Sequence, residues 1–129
     1  MNHQEYILQK QVCQYLNLQY PKVMFLSTGV SLEITKMQGN RHKAINKNGF
    51  KCPDLLILQP NKFFHGLFIE LKIASPYLKN GQLKKNDHIE GQNNSIEELK
   101  KLGYYACFAW EFESIKKLID NYMEDATTR

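Results

Sequence analysis

The chain has 129 residues, which suits one globular domain and is too short for two of ordinary size. Hydrophobic residues make up 43% and aromatic residues 12%, which excludes a disordered protein. The net charge is +4, but residues 34–86 hold ten Lys or Arg and only two acids, Asp54 and Glu70. This cationic middle favours nucleic acid over a membrane as the partner, since no apolar stretch reaches the roughly 18 residues of a spanning helix.

The cysteines are odd in number and widely spaced, and no two form a Cys-x-x-Cys pair. This pattern is typical of reduced thiols, so we expect a cytoplasmic protein. The histidines stand at no spacing that would join the cysteines in a zinc site. The residues concerned are Cys13, Cys52, Cys107, His3, His42, His65 and His88.

Residues 3–18 have a helical pattern, with Leu8, Val12 and either Leu16 or Tyr15 on one apolar stripe. One turn closer to the N-terminus, the same stripe reaches Glu5. This carboxylate is either an exposed residue at the helix start, favoured by the helix dipole, or a residue that faces a site at the edge of the core.

A strand-like stretch and two polar segments supply candidate contacts to phosphate. Residues 23–30 are strand-like. The end of this strand is either an ordinary turn or a place where hydroxyl groups contact a phosphate. Residues 36–51 are rich in Gly, Asn and cations, which predicts a mobile loop or wide hairpin that is either merely solvated or bound to an anion. A second basic loop covers residues 75–86. The candidate nucleic-acid contacts are Ser27, Thr28, Lys36, Arg41, Lys43, Lys47, Lys51, Lys79, Lys84 and Lys85.

Two apolar runs, residues 52–58 and 67–74, predict neighbouring strands of a hairpin and contain the two isolated acids. A charge in a buried strand costs several kcal/mol unless it is paired or binds a metal. Lys72 shares a face with Glu70 because side chains alternate along a strand. These two residues could form an ordinary ion pair, but with Asp54 in an otherwise acid-free region they favour a divalent-metal site.

The last third of the chain predicts a helix, a strand and a closing helix. Asp87 and Glu90 resemble an N-cap and its capping box, and the helix ends at Gly103. Gln92 falls on the inner stripe of this helix. A buried strand over residues 104–110 and a helix from residue 111 follow. The predicted order is helix, three strands, helix, strand, helix, which is an α/β sandwich around a small mixed sheet.

These positions resemble the PD-(D/E)XK nuclease superfamily, and within it the small stand-alone VRR-NUC nucleases of bacteria and their viruses. The similarity lies in Glu5, Pro53-Asp54, Glu70-Leu71-Lys72 and Gln92, and it spans nearly the whole chain. It implies one domain over residues 1–129 with a restriction-endonuclease-like αβββαβ core.

The resemblance implies a metal-dependent endonuclease that hydrolyses DNA phosphodiester bonds. Asp54, Glu70 and the main-chain carbonyl of Leu71 would bind Mg²⁺ or Mn²⁺, which prefer such oxygen ligands. Glu5 would contact the metal directly or through water. Lys72 would orient the attacking water, and Gln92 would support the site, so the catalytic residues would be Asp54, Glu70, Lys72 and Gln92.

The resemblance also suggests branched DNA such as Holliday junctions as the substrate, in a bacterial cell or a phage-infected host. A four-way junction needs two paired cuts, so we expect a homodimer. The surface for it would be the aromatic cluster Tyr104, Tyr105, Phe108, Trp110 and Phe112, unless these residues form core. The alternatives are a non-catalytic nucleic-acid-binding module of a larger assembly and a restriction-type endonuclease that reads a base sequence.

Overall fold

The computed structural model describes residues 3–28 and 35–127. Four helices and four strands follow one another in these ranges. They are α1 (His3–Gln19), β1 (Phe25–Ser27), α2 (Lys36–Ile45), β2 (Leu55–Ile57), β3 (Leu67–Lys72), α3 (Asp87–Lys101), β4 (Tyr105–Trp110) and α4 (Phe112–Glu124). This is the expected α/β class with one additional helix, α2. In these ranges no helix combines the length and apolar character needed to cross a membrane.

The strands form one open mixed sheet in the order β1-β2-β3-β4. The pairs β1–β2 and β2–β3 are antiparallel, and β4 runs parallel to β3. The predicted hairpin is therefore confirmed, with shorter strands than the apolar runs indicated. Leu55 pairs with Ile69, so the residue before Leu55 and the residue after Ile69 come together at one end of the hairpin.

Helices cover both faces of the sheet and bury two apolar clusters. On one face α1 and α4 pack on the strands, and the predicted stripe of α1 is confirmed as core, with Leu16 rather than Tyr15 fully buried. On the other face Ile96 and Leu99 of α3 pack against Ala106 and Phe108 of β4. The first cluster includes Leu8, Val12, Leu16, Leu55, Ile57, Leu67, Ile69, Ile115 and Ile119. Each fully buried Leu or Ile contributes about 1.5–3 kcal/mol relative to an exposed one, so these clusters fix the framework of the site.

The expectation of a loop over residues 36–51 is wrong for its first ten residues, which form α2. Thr35 and Gln38 make a capping box: the Thr35 hydroxyl accepts from the Gln38 N–H at 3.1 Å, and Gln38 Oε1 accepts from the Thr35 N–H at 2.9 Å. His42 and Lys43 lie in the last turn, where the helix dipole favours cations. None of the residues of α2 is buried, so the sequence has no apolar stripe that would predict this helix.

The N-cap of α3 is Asn86, and the predicted Asp87–Glu90 capping box is wrong by one residue. Oδ1 of Asn86 accepts hydrogen bonds from the backbone N–H groups of His88 and Ile89 at 2.9 and 3.2 Å. Asp87 is therefore the first residue inside the helix, where its charge still favours the N-terminal end.

The aromatic cluster proposed as a dimer surface belongs to the core, which confirms the alternative. Phe108 is buried, and the other four residues are half-buried. Tyr104 packs edge-on against Phe68, with ring centres 5.1 Å apart. Exposed apolar side chains are spread over several elements, and one group of them lies at the β1 edge of the sheet. This edge group consists of Met24, Leu26 and Leu58, which are 76%, 55% and 49% exposed.

Candidate active site

Asp54 and Glu70 meet at the end of the β2–β3 hairpin. The backbone N–H of Asp54 donates to Oε2 of Glu70 at 3.2 Å, and the backbone N–H of Leu71 donates to Oδ2 of Asp54 at 2.9 Å. Glu70 is 7% exposed and Asp54 is half-buried. The antiparallel register thus brings together the two acids that the sequence singled out.

The two carboxyls strongly disfavour being charged together. Burial raises the pKa of Asp54. Burial and the neighbouring Asp54 raise the pKa of Glu70 to about 8. A divalent cation relieves both effects, because it neutralises the pair and replaces its water ligands with carboxylate oxygens. The chemistry of this donor set therefore fits Mg²⁺ or Mn²⁺, with the Leu71 carbonyl as the third expected ligand.

Lys72 points from the same strand toward the acids. Its positive charge lowers the pKa of both Asp54 and Glu70, although burial outweighs it. Its ammonium lies 5.9 Å from the centre of the Phe108 ring. The ion pairs found within residues 3–28 and 35–127 lie on α3 and α4, so the alternative of a simple Glu70–Lys72 ion pair is not supported.

Gln92 reaches the acids from α3 and is 7% exposed. Its amide Nε2 donates to Oε1 of Glu70 at 2.6 Å. Its Oε1 is buried and has no hydrogen-bond partner within the described ranges. A buried acceptor without a donor is costly. Such an acceptor beside two acids fits a hydrated cation, because metal-bound waters donate hydrogen bonds.

His88 also faces the site, and the sequence reasoning missed it. Its Nε2 lies 3.2 Å from Nε2 of Gln92, one helical turn away. Partial burial and the charges of Lys72 and Lys51 lower the pKa of His88, which favours a neutral ring that accepts from the Gln92 amide. The spacing of four residues from Gln92 was the available signal.

Gln9 is a second residue that the sequence reasoning missed. It is 4% exposed, and its Nε2 donates to the carbonyl of Asp54 at 3.1 Å and to the hydroxyl of Ser27. It therefore ties α1 to β1 and to the backbone of the acid-bearing segment. Gln9 lies four residues after Glu5 on α1, but this spacing alone does not show that a glutamine turns inward.

Glu5 lies on the same side of the molecule as the acids, but not within their immediate group. Its charge raises the pKa of both Asp54 and His88, so it faces the site. Within residues 3–28 and 35–127, however, no three His, Cys, Asp or Glu residues are close enough to hold one metal ion. Contact between Glu5 and a metal, direct or through water, stays a prediction.

Comparison with known proteins identifies the fold. No protein-family model and no curated protein matches the chain. A solved structure described as a VRR_NUC domain protein matches 93% of this chain and 88% of its own, with a TM-score of 0.64 and 23% sequence identity. The chain has the fold of a VRR_NUC domain protein. In this VRR_NUC fold the acid pair lies on the central hairpin, between helices that supply Gln9 and Gln92.

The hydroxyls of Ser27 and Thr28 form hydrogen bonds to other groups of the protein. Ser27 accepts from Gln9, and the Thr28 hydroxyl donates to the carbonyl of Pro53. The Thr28 N–H also donates to the carbonyl of Asp54 at 2.8 Å. These bonds hold the segment that precedes β2, and a contact of either hydroxyl with phosphate stays a prediction.

The cations predicted to bind phosphate are all exposed, as contact with a nucleic acid requires. Three lie on α2, Lys47 and Lys51 lie in the segment that contacts α3, and the others lie on the 75–86 loop. Their contact with nucleic acid stays a prediction. They are Lys36, Arg41, Lys43, Lys47, Lys51, Lys79, Lys84 and Lys85.

A shallow cavity of about 310 Å³ lies between residues 47–50 and the middle of α3. Phe50, Asn94 and Ser95 are among its lining residues, and none of the proposed catalytic residues is. The cavity therefore does not mark the acid pair. The acids are better placed for an extended polymer than for a small molecule enclosed in this cavity.

Proposed function

We propose that this protein is a metal-dependent endonuclease that hydrolyses phosphodiester bonds of DNA. The observation that carries the proposal is the buried contact between Asp54 and Glu70, two acids that disfavour joint ionisation without a cation. Gln92 and Lys72 act directly on Glu70, and the segments before Asp54 and after Lys72 carry exposed cations. The fold shared with a VRR_NUC domain protein supports the same conclusion.

Each residue has a distinct role in this reaction. Asp54, Glu70 and the Leu71 carbonyl would hold Mg²⁺ or Mn²⁺, with Glu5 in contact directly or through water. When bound, the cation would polarise the phosphate as a Lewis acid and lower the pKa of a coordinated water. Lys72 orients the attacking water and stabilises the negative charge that develops on phosphorus-bound oxygens.

Gln92 acts on the orientation of Glu70. Its amide holds Oε1, while Oε2 accepts from the Asp54 N–H, so both carboxylate oxygens are fixed before substrate arrives. Preorganised groups of this kind contribute to rate because they need no rearrangement during the reaction. The surrounding lysines hold the DNA backbone, which makes binding dependent on salt concentration.

The proposed substrate is branched DNA such as a Holliday junction, and the proposed active form is a homodimer. One chain carries one acid pair, and a junction needs two cuts. β1 is an edge strand, and Met24, Leu26 and Leu58 form an exposed apolar patch there that a second copy would cover. The cysteines are free thiols, which supports action in the reducing cytoplasm of a bacterium or a phage-infected host.

A cleavage assay tests the reaction. Single-stranded, duplex, flap, fork and four-way junction DNAs, with an RNA counterpart, are incubated with and without Mg²⁺ or Mn²⁺. We expect cleavage only with metal and a preference for the junction. Asp54→Asn, Glu70→Gln and Lys72→Met should each lower the rate by at least about 100-fold.

The control is Glu124→Gln, which removes an exposed acid of α4 and should cut like the wild type. DNA binding in EDTA should persist in the Asp54 and Glu70 variants, because it depends on the lysines. Undiminished cutting by the Asp54 and Glu70 variants would refute the mechanism. Binding by the wild type without any metal-dependent cutting would favour a non-catalytic binding module instead.

A further inference from the structure

The side chain of Lys51 runs along the surface of α3. Its backbone N–H donates to the hydroxyl of Ser95 at 2.8 Å, and Ser95 is only 4% exposed. The start of the Lys51 side chain is thus fixed to a buried group of the helix. A long flexible side chain anchored in this way has a restricted range of positions for its ammonium.

Gly91 provides the space in which this side chain lies. A methyl group at Gly91 would come within 2.8 Å of Lys51 Nζ, 2.9 Å of Cε and 3.2 Å of Cδ. The outer half of Lys51 therefore occupies the volume of the absent side chain. Glycine is unfavourable inside a helix compared with alanine, and its φ here needs no glycine. The advantage of glycine at position 91 is that it leaves space for the side chain of Lys51.

The ammonium of Lys51 ends beside the turn of α3 that carries His88 and Gln92. Gly91 precedes Gln92, which holds Glu70, and lies three residues after His88. The charges of Lys51 and Lys72 both lower the pKa of His88, so both ammonium groups are close to that ring. Two cations therefore approach the site from different elements, Lys72 from β3 and Lys51 across α3.

We propose that Lys51 forms a second phosphate subsite, for a DNA phosphate adjacent to the one that reacts, and that Gly91 and Ser95 are the positioning residues that aim it. The identity of the reacting phosphate rests on the proposed function. Lysine binds phosphate as a point charge, so its contribution depends on where the ammonium is held. Holding it in place before DNA arrives reduces the entropy lost on binding.

Substitutions at Lys51 and Gly91 test the subsite through DNA binding in EDTA, where no cleavage occurs. Junction DNA is titrated over a range of salt concentrations. Lys51→Met should weaken binding about two- to fivefold. It should also lower the slope of log affinity against log salt by about 0.7–0.9, as expected for one lost phosphate contact.

Gly91→Ala should weaken binding in the same way although it leaves the charge of the protein unchanged. Its melting temperature should equal or exceed that of the wild type, since alanine favours the helix and the flexible end of Lys51 can move aside. In the Lys51→Met background, Gly91→Ala should have no further effect on binding. The control Lys62→Met removes an exposed lysine between β2 and β3 and should leave the melting temperature unchanged and binding near that of the wild type.

Three results would overturn the subsite. Lys51→Met could bind with the wild-type salt slope, Gly91→Ala could bind normally, or the two effects could simply add. Ser95→Ala supplies an independent check, because it removes the acceptor of the Lys51 N–H and should also weaken binding. If the wild type never cuts DNA but these binding differences hold, the nuclease proposal fails and the phosphate subsite stands.

Discussion

The side-chain amide of Gln92 donates a hydrogen bond of 2.6 Å to Oε1 of Glu70, so helix α3 holds a carboxylate of strand β3 in place. Glu70 is thereby fixed by a partner 22 residues away in sequence. The helix is itself held on the sheet by Ile96 and Leu99. Packing of α3 therefore controls the orientation of the carboxylate proposed to bind metal.

Gln92→Met removes this hydrogen bond and keeps a side chain of similar length. Residues that orient a metal ligand typically contribute 10- to 100-fold in metal affinity or activity, so we expect a loss of about that size in both. Calorimetric titration with Mn²⁺ and the cleavage assay measure the two effects. Asn94→Ala, an exposed change two residues along α3, is the control. Wild-type Mn²⁺ affinity in the Gln92 variant would contradict the role.

The stability of the metal-free protein should depend on pH through Glu70. Its pKa rises from 4.5 to about 8 in the folded protein. Between these values the folded protein binds a proton that the unfolded chain has lost, so the free energy of unfolding falls as pH rises. The raised pKa of Asp54 acts in the same direction.

Urea unfolding in EDTA across this interval measures the dependence. Glu70→Gln is neutral throughout and should flatten the curve. Mg²⁺ competes with the proton, so it should raise the melting temperature more at the alkaline end of the interval than at the acidic end. An equal effect of Mg²⁺ at both ends would show that it does not bind at this pair.

Gln9→Ala should destabilise the fold by about 1–3 kcal/mol, because it leaves the Asp54 carbonyl and the Ser27 hydroxyl without their shared donor. Gln14→Ala, an exposed change on the same helix, should have little effect. Denaturant unfolding compares the two variants. Equal destabilisation would mean that the bonds of Gln9 add nothing beyond a generic helix substitution.

Leu26→Glu tests the proposed dimer edge. A charge in the centre of the apolar patch on β1 should convert a dimer to a monomer, as measured by analytical ultracentrifugation. Junctions should then be nicked once rather than cut in pairs. Leu102→Glu places the same charge on a leucine that is 67% exposed at the end of α3 and should leave the mass unchanged. A monomeric wild type would refute the dimer.

The hairpin and its acids could be predicted because apolar runs of strand length surrounded two isolated carboxylates. Gln92 could be placed because a helix with a clear apolar stripe fixes which residues face inward. Gln9 could not, since its neighbour Leu8 is also buried and the period alone does not show that a glutamine turns inward. Its partners come from β1 and from a residue 45 positions away, which only the tertiary structure reveals.

Helix α2 was not predicted for a different reason. Its residues stay at the surface, so the signal from hydrophobic periodicity is missing, and Gly39 and Asn40 are weak helix formers. The capping signature of Thr35 and Gln38 was present in the sequence and was the better guide. At the start of α3, Asn86 and Asp87 are both good caps, and only the extended backbone of Asn86, with φ of −162° and ψ of 124°, decides between them.

The β2–β3 hairpin carries Asp54, Glu70 and Lys72 within one short stretch of chain, which has a consequence for how the site assembles. The acids meet as soon as the two strands find their register, through contacts that are local in sequence. Gln9 and Gln92 arrive only when α1 and α3 dock on the sheet. We therefore expect the contact between Asp54 and Glu70 to form early in folding. The hydrogen bonds from Gln9 and Gln92 that fix its geometry should form last. A variant with poorly docked helices would keep a cation-binding pair that lacks the order needed to use it.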